Sequence, residues 1–135
     1  MTRNLFLVAG LALALASARA HAQFPPAKFT NLRVLPKDIA PAQLVATMKS
    51  FTQAMGVRCE KCHVGEGNDL TKFDFAADTK PEKVTARRMI QMTTILNSQV
   101  ADIGEAAKPG VQKITCFTCH RGAAKPLTAP GGGGH

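Results

Sequence analysis

Two stretches decide the reading of this chain: Cys59-Glu60-Lys61-Cys62-His63 and Cys116-Phe117-Thr118-Cys119-His120. Each sets two thiols three positions apart and places an imidazole directly after the second. A two-residue spacer holds the sulfurs at the separation of the two vinyl groups of a haem, and the next residue is then pinned over the iron, which is the c-type attachment signature. Cys59, Cys62, Cys116 and Cys119 are therefore the expected thioether residues, and His63 and His120 the proximal iron ligands. The expected cofactor is two covalently held haem c groups.

Other chemistries of paired cysteines account for less. A single four-cysteine zinc site could use both pairs, but it needs no histidine after each, and the 53 residues between Cys62 and Cys116 exceed the usual ribbon spacing. Disulfides suit an oxidising compartment, and a Cys-x-x-Cys pair can act as a redox dithiol. Neither explains the histidines.

At the N-terminus, Arg3 precedes an apolar run from Leu5 to Ala16, and small residues end in Ala20-His21-Ala22. This is the pattern of a secretory signal peptide. The run is too short for a stable anchor, since spanning takes about 20 apolar residues. Residues 1–22 are thus expected to be removed, leaving a soluble periplasmic protein that begins near Gln23; the signal contains no cysteine for lipid attachment. The remaining chain has 15 basic and 9 acidic residues, a formal charge of +6. Its basic residues are scattered rather than blocked, which fits a solvated surface that partly offsets haem propionates, and no nucleic-acid partner is expected. One domain, 23–122, is expected, followed by a disordered Pro/Gly-rich tail, 123–135. The chain has no Trp and no Tyr, so haem surface would have to complete its core.

Leu35-Pro36 argues against helix in the first mature segment. Pro41 then opens a helix that Gly56 stops, with Leu44, Met48, Phe51 and Met55 along one face. Gly65 to Asp78 lacks an apolar period and reads as a surface loop. Thr79 and Glu82 have the spacing of a capping box for a second helix that runs through Met89, Met92 and Leu96 to about Val100. Pro109-Gly110 interrupts the chain before the second motif. Helix, short connection and motif thus occur twice, 57 positions apart from Cys59 to Cys116.

The mature chain has three histidines, His63, His120 and His135, the last in a glycine tail. Paired histidine ligation therefore lacks a second imidazole, and methionine is the usual alternative in electron-transfer cytochromes. The candidates are Met48, Met55, Met89 and Met92. Met55, four residues before Cys59, is tied to the haem edge and has difficulty reaching the opposite face. Met48, two turns earlier, can reach it. Met89 and Met92 are three apart and share a face, so spacing does not separate them.

From about Leu35 to Pro126 the chain resembles the cytochrome subunit of photosynthetic reaction centres, a family that normally carries four haems. The resemblance rests on Ala46-Thr47-Met48 ahead of Cys59-x-x-Cys62-His63-Val64, on Arg87-Arg88-Met89, Asn97-Ser98 and Gly110-Val111, and on Thr115-Cys116-Phe-Thr-Cys119-His120-Arg121-Gly122. It implies Met48 as the distal ligand of the first haem and Met89, with Met92 as the alternative, as that of the second. The chain departs from the family in having two motifs, half the usual pattern. Gln99-Val100-Ala101-Asp102 also stands where the family has a histidine serving another haem.

The expected architecture is a mainly α, small multihaem c-type cytochrome: two helix-plus-motif units around two haems, with His63/Met48 and His120/Met89 as axial pairs. The expected function is electron transfer between redox protein partners, a membrane-bound reaction centre or respiratory complex among them. Two six-coordinate irons leave no open position for a small-molecule substrate, so no enzyme activity is expected. The rival is a peroxidase-like haem enzyme or gas-binding protein in which one methionine is only core.

Overall fold

Pro41 and Gly56 bound the first helix by local backbone rules. The computed structural model describes residues 23–101, 103, 104, 108 and 114–129; the expected signal peptide 1–22 and tail residues 130–135 lie outside these. Helix α1 spans Pro41–Met55, with extended Ala40 as its N-cap and Pro41 in the first turn, where its missing amide costs nothing. Gly56 ends it at φ +61°, and the amides of Gly56 and Val57 donate to the Gln53 and Thr52 carbonyls at 3.4 and 3.1 Å. A left-handed close of this kind satisfies carbonyls the helix leaves over.

Helix α2 spans Pro81–Gln99, and here one expectation is corrected. Thr79 and Glu82 do not form a capping box. Pro81 takes the first helical position, so extended Lys80 is the N-cap and makes no side-chain cap bond. Glu82 instead pairs with Lys61 at 3.1 Å. Helix α3 is the second motif itself, Cys116–His120, packed on both α1 and α2. Short 3₁₀ turns occupy Cys59–Lys61 and Leu70–Lys72. Among the described residues there is no β-strand, only an isolated antiparallel bridge between Val64 and Asp74.

The stretch 65–78 is more than a surface loop. Phe73 within it is buried, and the Asp74 amide donates to the Val64 carbonyl at 2.8 Å, folding the segment back beside the first motif. Gly65 lies under Phe73: a Cβ there would come within 2.4 Å of the ring.

Little apolar side-chain surface is fully buried. Among the described residues the only buried apolar ones are Leu44, Ala54 and Phe73. A domain of this size ordinarily hides far more. Leu44, Met48, Phe51 and Met55 do share a face of α1, and that face lines a cavity. No helix among the described residues is long and apolar enough to cross a membrane.

Candidate functional site

The first motif sits in the turn Cys59–Lys61, closed by the amides of Cys62 and His63, which donate to the Cys59 carbonyl at 3.2 and 2.9 Å. Arg58 braces it from outside through Glu60 (2.6 Å), Asn68 (2.7 Å) and the Gly67 carbonyl (3.2 Å). Lys80 donates to the Glu60 carbonyl, so both spacer residues of the motif are tied down, Lys61 by Glu82.

Cys59, Cys62 and His63 open onto a cavity of about 290 Å³. Met48 and Met55 of α1 line it too. Phe24, Leu32 and Leu35 from the first segment and Ala86 and Ile90 from α2 complete an apolar enclosure. Six cations also line it, of which Arg33, Lys83 and Arg87 pair with Asp78 and Arg58 with Glu60, while Lys28 and Lys49 add positive charge at the wall. An apolar space walled by cations fits a flat apolar group that carries acidic substituents. The donors fit a haem in the same way: two thiols and an imidazole on one side, a thioether on the wall.

His63 is chemically ready for a metal. Burial, and after it the positive charge of Lys83, hold its pKa down to about 4, so the imidazole is neutral at neutral pH. Its Nδ1 is buried with no hydrogen-bond partner among the described residues. The Phe75 ring meets the imidazole edge-on, with centroids 5.0 Å apart at 65°, and is itself stacked on Phe73 at 5.4 Å.

Behind Phe75 lies a polar cluster that sequence reasoning missed. Lys83 on α2 is only 8% exposed. Its ammonium donates to the carbonyls of Phe75, Ala76 and Ala77 at 2.9, 3.1 and 2.7 Å and lies 3.0 Å from the Asp78 carboxylate. Asp78 also receives Arg87 and Asn31, both at 2.9 Å. The Arg87 guanidinium, then Asn31 and Lys83, hold this carboxyl well below the usual carboxylate range.

The second motif is built differently. Thr115 caps α3, and Thr118, inside the motif, returns the bond by accepting from the Thr115 amide at 3.0 Å, closing a capping box. His120 is buried, and its Nδ1 donates to the Ala123 carbonyl at 2.9 Å, which leaves Nε2 free to bind a metal. Asn97 of α2 grips the approach to the motif: its amide group accepts from the Ile114 amide and donates to the Ile114 carbonyl, both at 2.8 Å. Met89 is half-buried, whereas Met92 is 47% exposed. Neither lines the first cavity. Residues 105–107 and 109–113, which precede the second motif, lie outside the described set.

The two sites touch through backbone. The Gly122 amide donates to the Ala54 carbonyl at 2.8 Å, and a Cβ on Gly56 would lie 2.1 Å from the Gly122 carbonyl oxygen. The end of the second motif thus rests on the turn that leads into the first.

The cysteines form no disulfide. Burial raises the Cys62 and Cys116 thiols, the reverse of what a reactive dithiol requires. Among the described residues no three His, Cys, Asp or Glu side chains gather as a metal set, so the two cysteine pairs do not meet.

The missed residues are Phe75, Lys83 and Asp78, while Asn97 entered only as part of the resemblance, with no role given to it. Phe75 left a trace in composition, since two Phe in a polar stretch of a chain without Trp or Tyr need a place to be buried. Lys83 and Asp78 left none, because their partners are backbone carbonyls and side chains gathered from distant positions.

Comparison with known proteins places the chain in a family. Residues 11–129 match the family model described as photosynthetic reaction centre cytochrome C subunit. The photosynthetic reaction center cytochrome c subunit of Rubrivivax gelatinosus is 34% identical over 117 residues, which cover 73% of this chain and 31% of that protein. That of Thermochromatium tepidum is 34% identical over 110 residues, covering 76% and 24%. That of Roseobacter denitrificans is 36% identical over 101 residues, covering 73% and 25%. The chain spans a third or less of the length of these curated relatives. No solved structure matches it. The chain belongs to the photosynthetic reaction centre cytochrome c subunit family.

Proposed function

We propose that this chain is a dihaem c-type cytochrome that transfers electrons, exported by residues 1–22 to the periplasm. The observation that carries this is the apolar cavity onto which Cys59, Cys62 and His63 face with Met48 on its wall. Haem supplies the one-electron couple. The chain's residues do the rest: Cys59 and Cys62 tether, His63 and Met48 ligate, and the apolar walls keep water away. Lys28 and Lys49, which line the cavity, would meet the acidic substituents. Cys116, Cys119, His120 and Met89 serve the second group in the same way, and the half-buried position of Met89 against the exposed one of Met92 supports that choice.

With methionine on both irons no position is open to a substrate, so the reading is a carrier and not an enzyme. The relatives are subunits of a reaction centre, and a membrane-bound reaction centre or respiratory complex is the partner we propose here, together with a redox protein at the other end. Intact-mass analysis with a redox titration tests this. Two covalent haems, no free thiol and a weak near-red ferric band from iron–thioether bonds are expected. One haem or none would defeat the reading, and high-spin features would favour an open-iron haem enzyme or gas-binding protein.

A further inference from the structure

A lysine on a helix normally keeps its ammonium in water and lays only its stem on the protein. Lys83 does the opposite. It is 8% exposed, and its donors go to the Phe75, Ala76 and Ala77 carbonyls and to Asp78. An ammonium has three N–H groups, so its whole capacity goes to one short stretch of chain. That stretch is gripped from the other side as well: Asn31 donates to the Ala76 carbonyl and to Asp78, and Arg87 reaches both Asp78 and the Asn31 carbonyl. What the clamped stretch presents to the site is the Phe75 ring, edge-on to His63 and backed by Phe73 and Phe24.

Given the haem reading above, on which this rests, we infer that Lys83 is a positioning residue for the first haem site: by gathering the Phe75–Ala77 carbonyls it holds the Phe75 ring against His63 and so sets the rotation of the axial imidazole. Outer partners of a metal-bound histidine commonly fix its ring orientation. Here Phe75 stands beside the imidazole with both its ring and its backbone, and its own placement depends on a buried ammonium of α2. The second site has a different device, the Ala123 carbonyl on His120 Nδ1, so the effect belongs to one haem alone.

The test is low-temperature electron paramagnetic resonance of the ferric holoprotein, with the first-haem signal identified as the one that remains in the Cys116→Ser/Cys119→Ser variant. Lys83→Met should shift the principal g-values of that signal, leave the second-haem signal in place, and be reversed in Lys83→Arg. Phe75→Leu keeps the charge cluster intact and tests the same path if Lys83→Met does not fold. It should shift the same signal, and Lys83→Met added to it should shift the signal no further. A Lys83→Met protein whose midpoint potential falls while its g-values stay fixed would show a charge effect only and overturn the inference. Unchanged g-values in Phe75→Leu would do the same. A wild-type chain without haem on Cys59 and Cys62 defeats the functional reading itself, whereas two haems with an indifferent signal defeat this inference alone.

Discussion

The two motifs share a pattern and differ in everything around it. The first lies in a loose 3₁₀ turn whose spacer residues, Glu60 and Lys61, are held by charged partners: Arg58, Lys80 and Glu82. It looks onto a cavity that takes its walls from α1, α2 and residues 24–35. The second lies in a short helix capped by its own spacer residue Thr118 and held by two backbone-directed grips, Asn97 on Ile114 and Gly122 on Ala54. Attachment chemistry needs only the five motif positions. What surrounds them is free to differ, and among the described residues the first site is built into a cavity while the second is docked onto α1 and α2.

That contrast makes its largest claim about dependence. Few apolar residues are buried without help, and the cavity beside the first motif stands where a core would be. Cys116→Ser/Cys119→Ser should retain one haem by intact mass and melt cooperatively at a lower temperature. Cys59→Ser/Cys62→Ser should lose most of its folded population, because the absent group was the filling of the core. Equal melting of the two variants by circular dichroism would break the asymmetry.

The ligand sites sharpen the contrast at a smaller scale. Met48→Ala and Met89→Ala should each remove the near-red band of one haem and lower that haem's potential, since a soft thioether favours reduced iron. Met55→Ala should not. Met92 is 47% exposed, so Met92→Ala should keep the band and cost well under the ~2–5 kcal/mol of a buried methionine. If Met92→Ala removes the band and Met89→Ala spares it, the second site has been placed three residues out of register.

How much of this was legible follows from where each signal lies in the chain. Pro41 and Gly56 act on their own backbone, so the limits of α1 could be read directly, as could the 44/48/51/55 stripe. The same local reading failed at Thr79, where a capping pattern was present but Pro81 shifted the helix start by a residue. The cavity was legible only as a deficit of aromatic side chains. Lys83 was not legible at all: on a helix facing solvent a lysine is unremarkable, and only the return of residues 75–78 across its end turns it inward.

The contact between the sites is tested at Gly56. Its φ of +61° costs a side chain about 1 kcal/mol or more, and an added Cβ would sit 2.1 Å from the Gly122 carbonyl oxygen. Backbone must therefore move. Gly56→Ala should destabilise by more than the conformational term alone and should perturb both haems in the optical spectrum. A simple loss of about 1 kcal/mol with neither haem disturbed would mean that the two motifs are not coupled there.

The smallest effects come from the spacers, where the difference between the sites is most local. Lys61 pairs with Glu82 at 3.1 Å, but both side chains are well exposed, 51% and 40%. Such pairs are screened by water and salt. Lys61→Gln should therefore leave the melting temperature nearly unchanged, and any change should vanish in high salt. Thr118 has the same place in the second motif but accepts from the Thr115 amide at 3.0 Å in the first turn of α3. A capping bond of this type is worth about 1 kcal/mol, and the helix it caps is only five residues long, with both cysteines and the histidine of the motif on it. Thr118→Ala should thus lower stability by about that amount, independently of salt, with the second haem's signal broadened and the first unchanged. If Lys61→Gln proved the costlier of the two, the first motif would depend on its charged spacer more than on the cavity behind it, and the contrast between a built-in and a docked site would have to be redrawn.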